Sequence, residues 1–197
     1  VNSRFKGNKI VRTVVYMPIM ISSLIMGYIM YYFLVFDNGV LNDIIGWFGK
    51  EPQNWLGNPV VGRVAITLIN SWQYVGNSMI IYLAGLQNIP QMYYEAATID
   101  GANRRQTFFH IVLPLIAPTG GIIAILCAIN SLKVFDIVKT MTEGGPFYAT
   151  DVIATYVYRN AFSSEIGMPR LGYASAAALF FGGTVILIGL ALNAVKD

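Results

Sequence analysis

Two groups of polar residues interrupt an otherwise apolar chain, and each limits the chemistry available to it. The first is an island, YYEAATIDGANRRQTFFHIVLPLIAP, Tyr93 to Pro118, which carries Glu95, Asp100, Arg104, Arg105 and His110 between long apolar runs. The second lies inside an uncharged run, Asn70, Ser71, Trp72, Gln73, Tyr74, Asn77 and Ser78, and Asn130 and Ser131 can join it from a later run. Neither group has the parts for making or breaking bonds. His110 is the only histidine and Cys127 the only cysteine, and neither forms part of a nucleophile–base pair or a metal cluster. No G-x-x-x-x-G-K-[ST] phosphate loop occurs, so this chain is not expected to bind a nucleotide itself. What remains is recognition. Glu95 offers one directed contact to a basic group. The amides, hydroxyls and aromatic faces of the second group suit a sugar or related polyol, although hydrogen bonding between helices would explain each of its residues as well.

The elements that must position these groups follow from composition. Of 197 residues, 55% are hydrophobic and 12% charged, with a mean hydropathy of +0.56, whereas a soluble domain carries about 25% charged residues. Four stretches, 13–36, 64–86, 113–132 and 171–195, contain no Asp, Glu, Lys or Arg, and each reaches the roughly 20 residues that cross a hydrocarbon core. The expected fold class is all-α, a polytopic transmembrane helix bundle. The alternating segments of a membrane barrel are absent. Val1 and the polar leader VNSRFKGNKIVRT do not read as a signal peptide, and the start is expected to be an interior point of a longer protein.

Lys and Arg collect at Arg4, Lys6, Lys9 and Arg12 and again in the island, which places both on the cytoplasmic side. Segments 37–63 and 133–170 then lie outside. In the first, Val40, Leu41, Ile44, Ile45, Trp47 and Phe48 are spaced for a short helix on the membrane surface. In the second, Gly144, Gly145 and Pro146 form a turn, and Lys133 and Asp136 are placed to pair. Ala174, Ala178 and Gly182 make a small-residue stripe suited to close helix packing.

Within the island, Pro90 ends the second run, and a short helix is expected over Gln91–Ile99. Gly101 supplies the left-handed residue that closes it, and Asn103 caps a second helix leading to Leu113-Pro114, where the third span begins. Such a rigid object at the inner face can act as a lever seated in a groove of a soluble partner, with Ala96 and Ala97 permitting close approach. On physics alone, an ordinary surface loop explains the same residues equally well.

The island resembles the EAA loop of ABC importer permeases, whose pattern is Glu-Ala-Ala, three residues, Gly, nine residues, Ile, one residue, Leu-Pro. Glu95, Ala96, Ala97, Gly101, Ile111, Leu113 and Pro114 fill it at that spacing. VRTVVYMP at 11–18, YLAGLQNIPQMYYEAATIDGA at 82–102, FD followed by T-x-GGP at 135–146, and GYASA at 172–176 look like the maltose-type, sugar-uptake branch. SSEIGMPRLGYASA departs slightly, because Gly167 to Arg170 lengthens the approach to the last span. The resemblance implies a six-span core, of which four spans are present, with a coupling loop at 91–114.

It also implies partners. Two permease subunits, here two different ones, would form a path through the lipid bilayer of a bacterial or archaeal inner (cytoplasmic) membrane. A cytoplasmic ABC ATPase dimer would bind ATP and Mg and receive the coupling residues Glu95, Ala96, Ala97, Asp100, Gly101, Ile111, Leu113 and Pro114. An extracytoplasmic solute-binding protein would deliver the sugar. This chain is then a multi-pass transport subunit, with no cofactor, catalytic residue, metal or nucleic acid of its own. The expected substrate path comprises Trp72, Tyr74, Asn77, Ser78, Asn130 and Ser131. The competing reading is a secondary transporter or channel subunit for a polar solute, which would be expected to carry intramembrane acids or a repeated, broken-helix design; the spans are free of acids.

Overall fold

The computed structural model describes residues 7–132, 134–162 and 168–194, with side chains as far as Leu190. The chain opens with α1 (Asn8–Tyr16), a 3-10 turn (Met17–Met20) and α2 (Ser23–Leu34). The single span expected over 13–36 is therefore broken, and its two parts are bent by 97°. Pro18 lacks the N–H needed to continue the helical ladder, and the backbone then extends at Ile21 (ψ 130°) and Ser22 (ψ 139°).

The surface helix expected after this appears as α3 (Val40–Trp47), with Trp47 and Phe48 exposed. Its Asn42 is buried and ties the surrounding segment together. The amide nitrogen donates to the carbonyls of Phe36 and Gln53, and the amide oxygen accepts from Gln53 N and Trp55 Nε1.

Asn58 then caps α4 (Pro59–Gln87), accepting from Val60 N and Val61 N, with Pro59 in the first turn. Past α4 stands α5 (Gln91–Ile99). After it, α6 (Arg104–Thr107), a π segment (Phe108–Val112) and α7 (Leu113–Leu132) form one continuous helix, Arg104–Leu132. Here α7 begins at Leu113, as expected, but no break separates it from the island's second helix, and the two run on as one helix. The wide π turn lies just before Pro114, whose ring would otherwise press on the His110 carbonyl.

On the far side from the island lie α8 (Asp136–Met141) and α9 (Ile153–Phe162), followed by α10 (Leu171–Ala194). Arg104–Leu132 and Leu171–Leu190 are long and apolar enough to cross a membrane, and the bent pair qualifies when its halves are taken together. With 29 residues, α4 is about 44 Å long, and its polar centre leaves it less apolar than those two.

Met26, Ile66, Ile69, Ile137, Val138 and Met141 form a core where α2, α4 and α8 meet at the end of α4 away from α5. Elsewhere the long helices turn Leu, Ile and Phe outward, as helices facing lipid or further helices must. Of the small-residue stripe, only Ala174 is buried within the chain, while Ala178 and Gly182 are exposed. At the start of α10, Tyr156 Oη donates to Tyr173 Oη at 2.9 Å, and this bond, which uses the phenol proton, raises the Tyr156 pKa above its usual value. The expected Lys133–Asp136 pair and the insertion at Gly167 involve positions outside the described residues.

Candidate functional site

A cleft of about 260 Å³ opens between α4 and α7, lined by Tyr74, Asn77 and Ser78 on one side and Cys127, Asn130 and Ser131 on the other. On α4, Asn70, Tyr74, Asn77, Ser78 and Ile81 recur at the spacing of one helical face. Asn70, Ser71 and Ser131 also border a second cavity of about 340 Å³, at the end of α4 away from α5, which reaches Arg63, Thr150 and Asp151. Ser23, Tyr74 and Asn130 meet in a third, about 80 Å³. Asn70 borders all three cavities, so the polar residues of α4 and α7 adjoin the cavity beside the 149–151 loop.

Five of the six residues expected on the path line this cleft. Trp72 does not: it lies two positions from both Asn70 and Tyr74, so the helix turns it to another face, where it is 46% exposed. Tyr74 Oη and Ser23 Oγ share a hydrogen bond at 3.2 Å. Ser131 Oγ donates to the Cys127 carbonyl at 2.8 Å, which leaves its lone pairs toward the cleft. Ser78 Oγ and Cys127 Sγ stand 3.8 Å apart across it.

Gln73, between these residues in sequence, does something different. It is 2% exposed, and its Nε2 donates to the Ile21 carbonyl, released by the helix break, at 2.8 Å. One turn on, a Cβ at Gly76 would lie 2.7 Å from Val15 O and 2.8 Å from Tyr16 Cα, so the glycine lets the backbone before the break lie directly on α4. Together these two residues fix the broken segment beside the cleft, and neither role is visible without the tertiary contact.

At the other end of the molecule, α5 finishes in a glycine turn. Gly101 has φ +69°, its N–H donates to Thr98 O at 3.2 Å, and Ala102 N donates to Ala97 O at 2.9 Å, the pair of bonds that defines a Schellman cap. Asn103 and Gln106 form a reciprocal capping box at the start of the next helix. Glu95, Ala96 and Asp100 are exposed, whereas Ala97 is 4% exposed. Of the two alanines, then, only Ala96 is open to a partner; Ala97 is small to suit its own fold. Met92 and Ile99, 66% and 86% exposed, share a face with Glu95 and Ala96 at i, i+3, i+4 and i+7. The motif pattern omits both, yet helical spacing alone would have found them. Ile111, Leu113 and Pro114 continue from this cap into the long helix, with Ile111 half-buried and the other two exposed. No group of His, Cys, Asp and Glu able to hold a metal occurs among the described residues.

A bundle of apolar helices with a polar cleft and an exposed helix closed by a glycine cap at one end has the form of a membrane transport subunit. The whole chain, residues 1–197, matches the binding-protein-dependent transport system inner membrane component family, and it belongs to that family. It is 46% identical over 125 residues to a putative ABC transporter permease protein of Caldicellulosiruptor sp., covering 62% of this chain and 86% of that one. It is 37% identical over 157 residues to the trehalose/maltose transport system permease MalF of Thermococcus litoralis, covering 80% and 53%. Its fold matches that of a bacterial alginate ABC transporter solved in complex with an alginate pentasaccharide-bound periplasmic protein, with a TM-score of 0.85, 31% identity, and 100% and 68% coverage. The chain spans about three fifths of the length of several other curated relatives it matches.

Proposed function

We propose that this chain belongs to the permease subunit of an ATP-driven importer that moves a sugar or related polyol, delivered by an extracytoplasmic binding protein, across the inner membrane. The observation that carries the reading is the single helix Arg104–Leu132. It begins at the capped turn after α5 and ends beside Cys127, Asn130 and Ser131 in the cleft. In this reading, α5 seats its Met92, Glu95, Ala96 and Ile99 face in a cleft of a cytoplasmic ATPase dimer, which binds ATP and Mg. A second, different permease subunit supplies the other wall of the path. When the ATPases close, α5 moves, and a continuous helix that includes the π turn and Pro114 carries that displacement to the cleft. Sugar hydroxyls would meet the amides of Asn77 and Asn130 and the hydroxyls of Tyr74, Ser78 and Ser131. Those amides, left facing hydrocarbon, would lose hydrogen bonds at about 1–3 kcal/mol each. The kinship with sugar permeases supports the substrate class.

The test uses the full-length protein, reconstituted with its partners and with any cysteine outside this chain replaced. Cys127 is exposed, so a thiol reagent should modify it at a rate that depends on ATP and on substrate-loaded binding protein. Asn77→Leu should impair uptake while leaving ATPase association intact. Labelling indifferent to every ligand, together with wild-type uptake by Asn77→Leu, would sink the reading.

A further inference from the structure

Phe147 is 97% exposed, more than any other large apolar side chain among the described residues with side chains, and the loop that carries it is tightly built. The hydroxyls of Thr142 and Thr150 meet at 2.7 Å, Thr150 Oγ1 donates to Gly145 O at 2.6 Å, and Thr150 N donates to Gly144 O at 3.1 Å. Thr150 itself is 4% exposed. The next residue, Tyr148, has its ring 4.0 Å from the Arg159 guanidinium carbon, and Arg159 is held in turn by Asp151 at 2.6 Å. Phe147 and Tyr148 adopt left-handed backbone, φ +50° and +59°, a conformation unfavourable for ordinary residues that persists only where surroundings impose it. The fold thus spends hydrogen bonds, an ion pair and backbone strain on holding one aromatic ring out in water.

The ring's place in the molecule narrows what it meets. Ala149, Thr150 and Asp151 of the same loop line the second cavity with Arg63, so Phe147 stands at its rim, at the end of α4 and α7 opposite α5. A rigid aromatic with few rotatable bonds, set beside polar groups, is the type of side chain that anchors a protein interface.

We propose that Phe147, held by the 142–151 loop, anchors the solute-binding protein over the outer mouth by inserting into an apolar pocket on that protein's surface. The proposal rests on the importer reading above and adds to it the contact that seats the donor of the solute. The arrangement aligns an opening in the binding protein with the cavity bounded by Arg63 and Asp151.

The full-length importer in nanodiscs, with its own binding protein, provides the test. A photoreactive phenylalanine analogue at position 147 should cross-link to the binding protein. Phe147→Ala should raise the concentration of binding protein that half-maximally stimulates ATP hydrolysis by about tenfold or more, and Phe147→Trp should restore most of the loss. Because the ring touches water in the isolated chain, the variant's thermal midpoint should stay at the wild-type value. Cross-links to lipid or to the second permease subunit, or equal half-saturation for Phe147→Ala and wild type, overturn the anchor alone. Absence of stimulation of the wild type by any binding protein overturns the importer reading as well.

Discussion

Replacing Gly101 by Val tests whether the turn after α5 is an aiming device. Gly101 has φ +69°, and a Cβ there would meet nothing within 4 Å. The penalty is therefore conformational rather than steric against neighbours, about 1–2 kcal/mol for an ordinary residue in the left-handed region, and a β-branched side chain lies at the upper end. Opening the turn would release that strain but forfeit the bonds from Gly101 N to Thr98 O and Ala102 N to Ala97 O, worth about 0.5–1.5 kcal/mol each. The two costs are similar, so the closed and opened turns become comparably populated. Only the closed form presents Glu95 and Ala96 in line with Arg104–Leu132, and apparent affinity falls with the fraction that is competent. We expect ATPase association with the nanodisc-embedded full-length protein to weaken by about twofold to sixfold, with ATP-driven uptake reduced alongside it. Gly101→Asn, which tolerates this backbone, should stay near wild type. Wild-type association by the Val variant at equal membrane levels would refute the reasoning. So would an Asn variant as impaired as Val, since a requirement for glycine would then not be conformational.

Three further perturbations probe other parts of the argument. Glu95→Lys keeps the exposed middle of α5 helical but reverses its charge; like-charge contact at an interface costs several kcal/mol, so ATPase binding and uptake should both be lost while membrane insertion, followed by expression and protease protection, is unchanged. Gln73→Leu leaves the Ile21 carbonyl without its donor and should destabilise by about 1–3 kcal/mol, read as a lowered thermal midpoint in detergent, with Gly76→Ala at least as severe because its Cβ would strike the Val15 and Tyr16 backbone. Arg159→Met removes the cation from a part-buried ion pair and leaves Asp151 with its Thr155 hydroxyl donor, and a loss of about 1–3 kcal/mol is expected, measured by the same thermal assay.

How far the sequence revealed all this depends on whether the cause was local. The cap at Gly101 and the capping box at Asn103 were legible because each is settled by the residue's own backbone preferences within a few positions. The helices over 59–87 and 171–194 were legible from uncharged runs long enough to cross a bilayer. Trp72 shares the chemistry of its neighbours but not their face, because the helical period turns it away from Tyr74 and Asn77. Ala97 was open to either side until the fold buried it.

The broken first span is the case that no window of hydropathy could reveal. A run without charge looks the same whether it continues or bends, and Pro18 alone permits an uninterrupted kinked helix as readily as a break. What holds the break open is Gln73, 52 positions away in sequence, donating to the Ile21 carbonyl, with Gly76 one turn further clearing room for the Val15 and Tyr16 backbone. The same helix that lines the cleft with Tyr74, Asn77 and Ser78 therefore fixes the bent segment with Gln73, at the edge of that face, and with Gly76 beyond it. A polar residue in the middle of a spanning helix has two ways to escape hydrocarbon, toward a cavity or toward an unpaired backbone group. Its position on the helical turn, rather than its chemical type, decides between them.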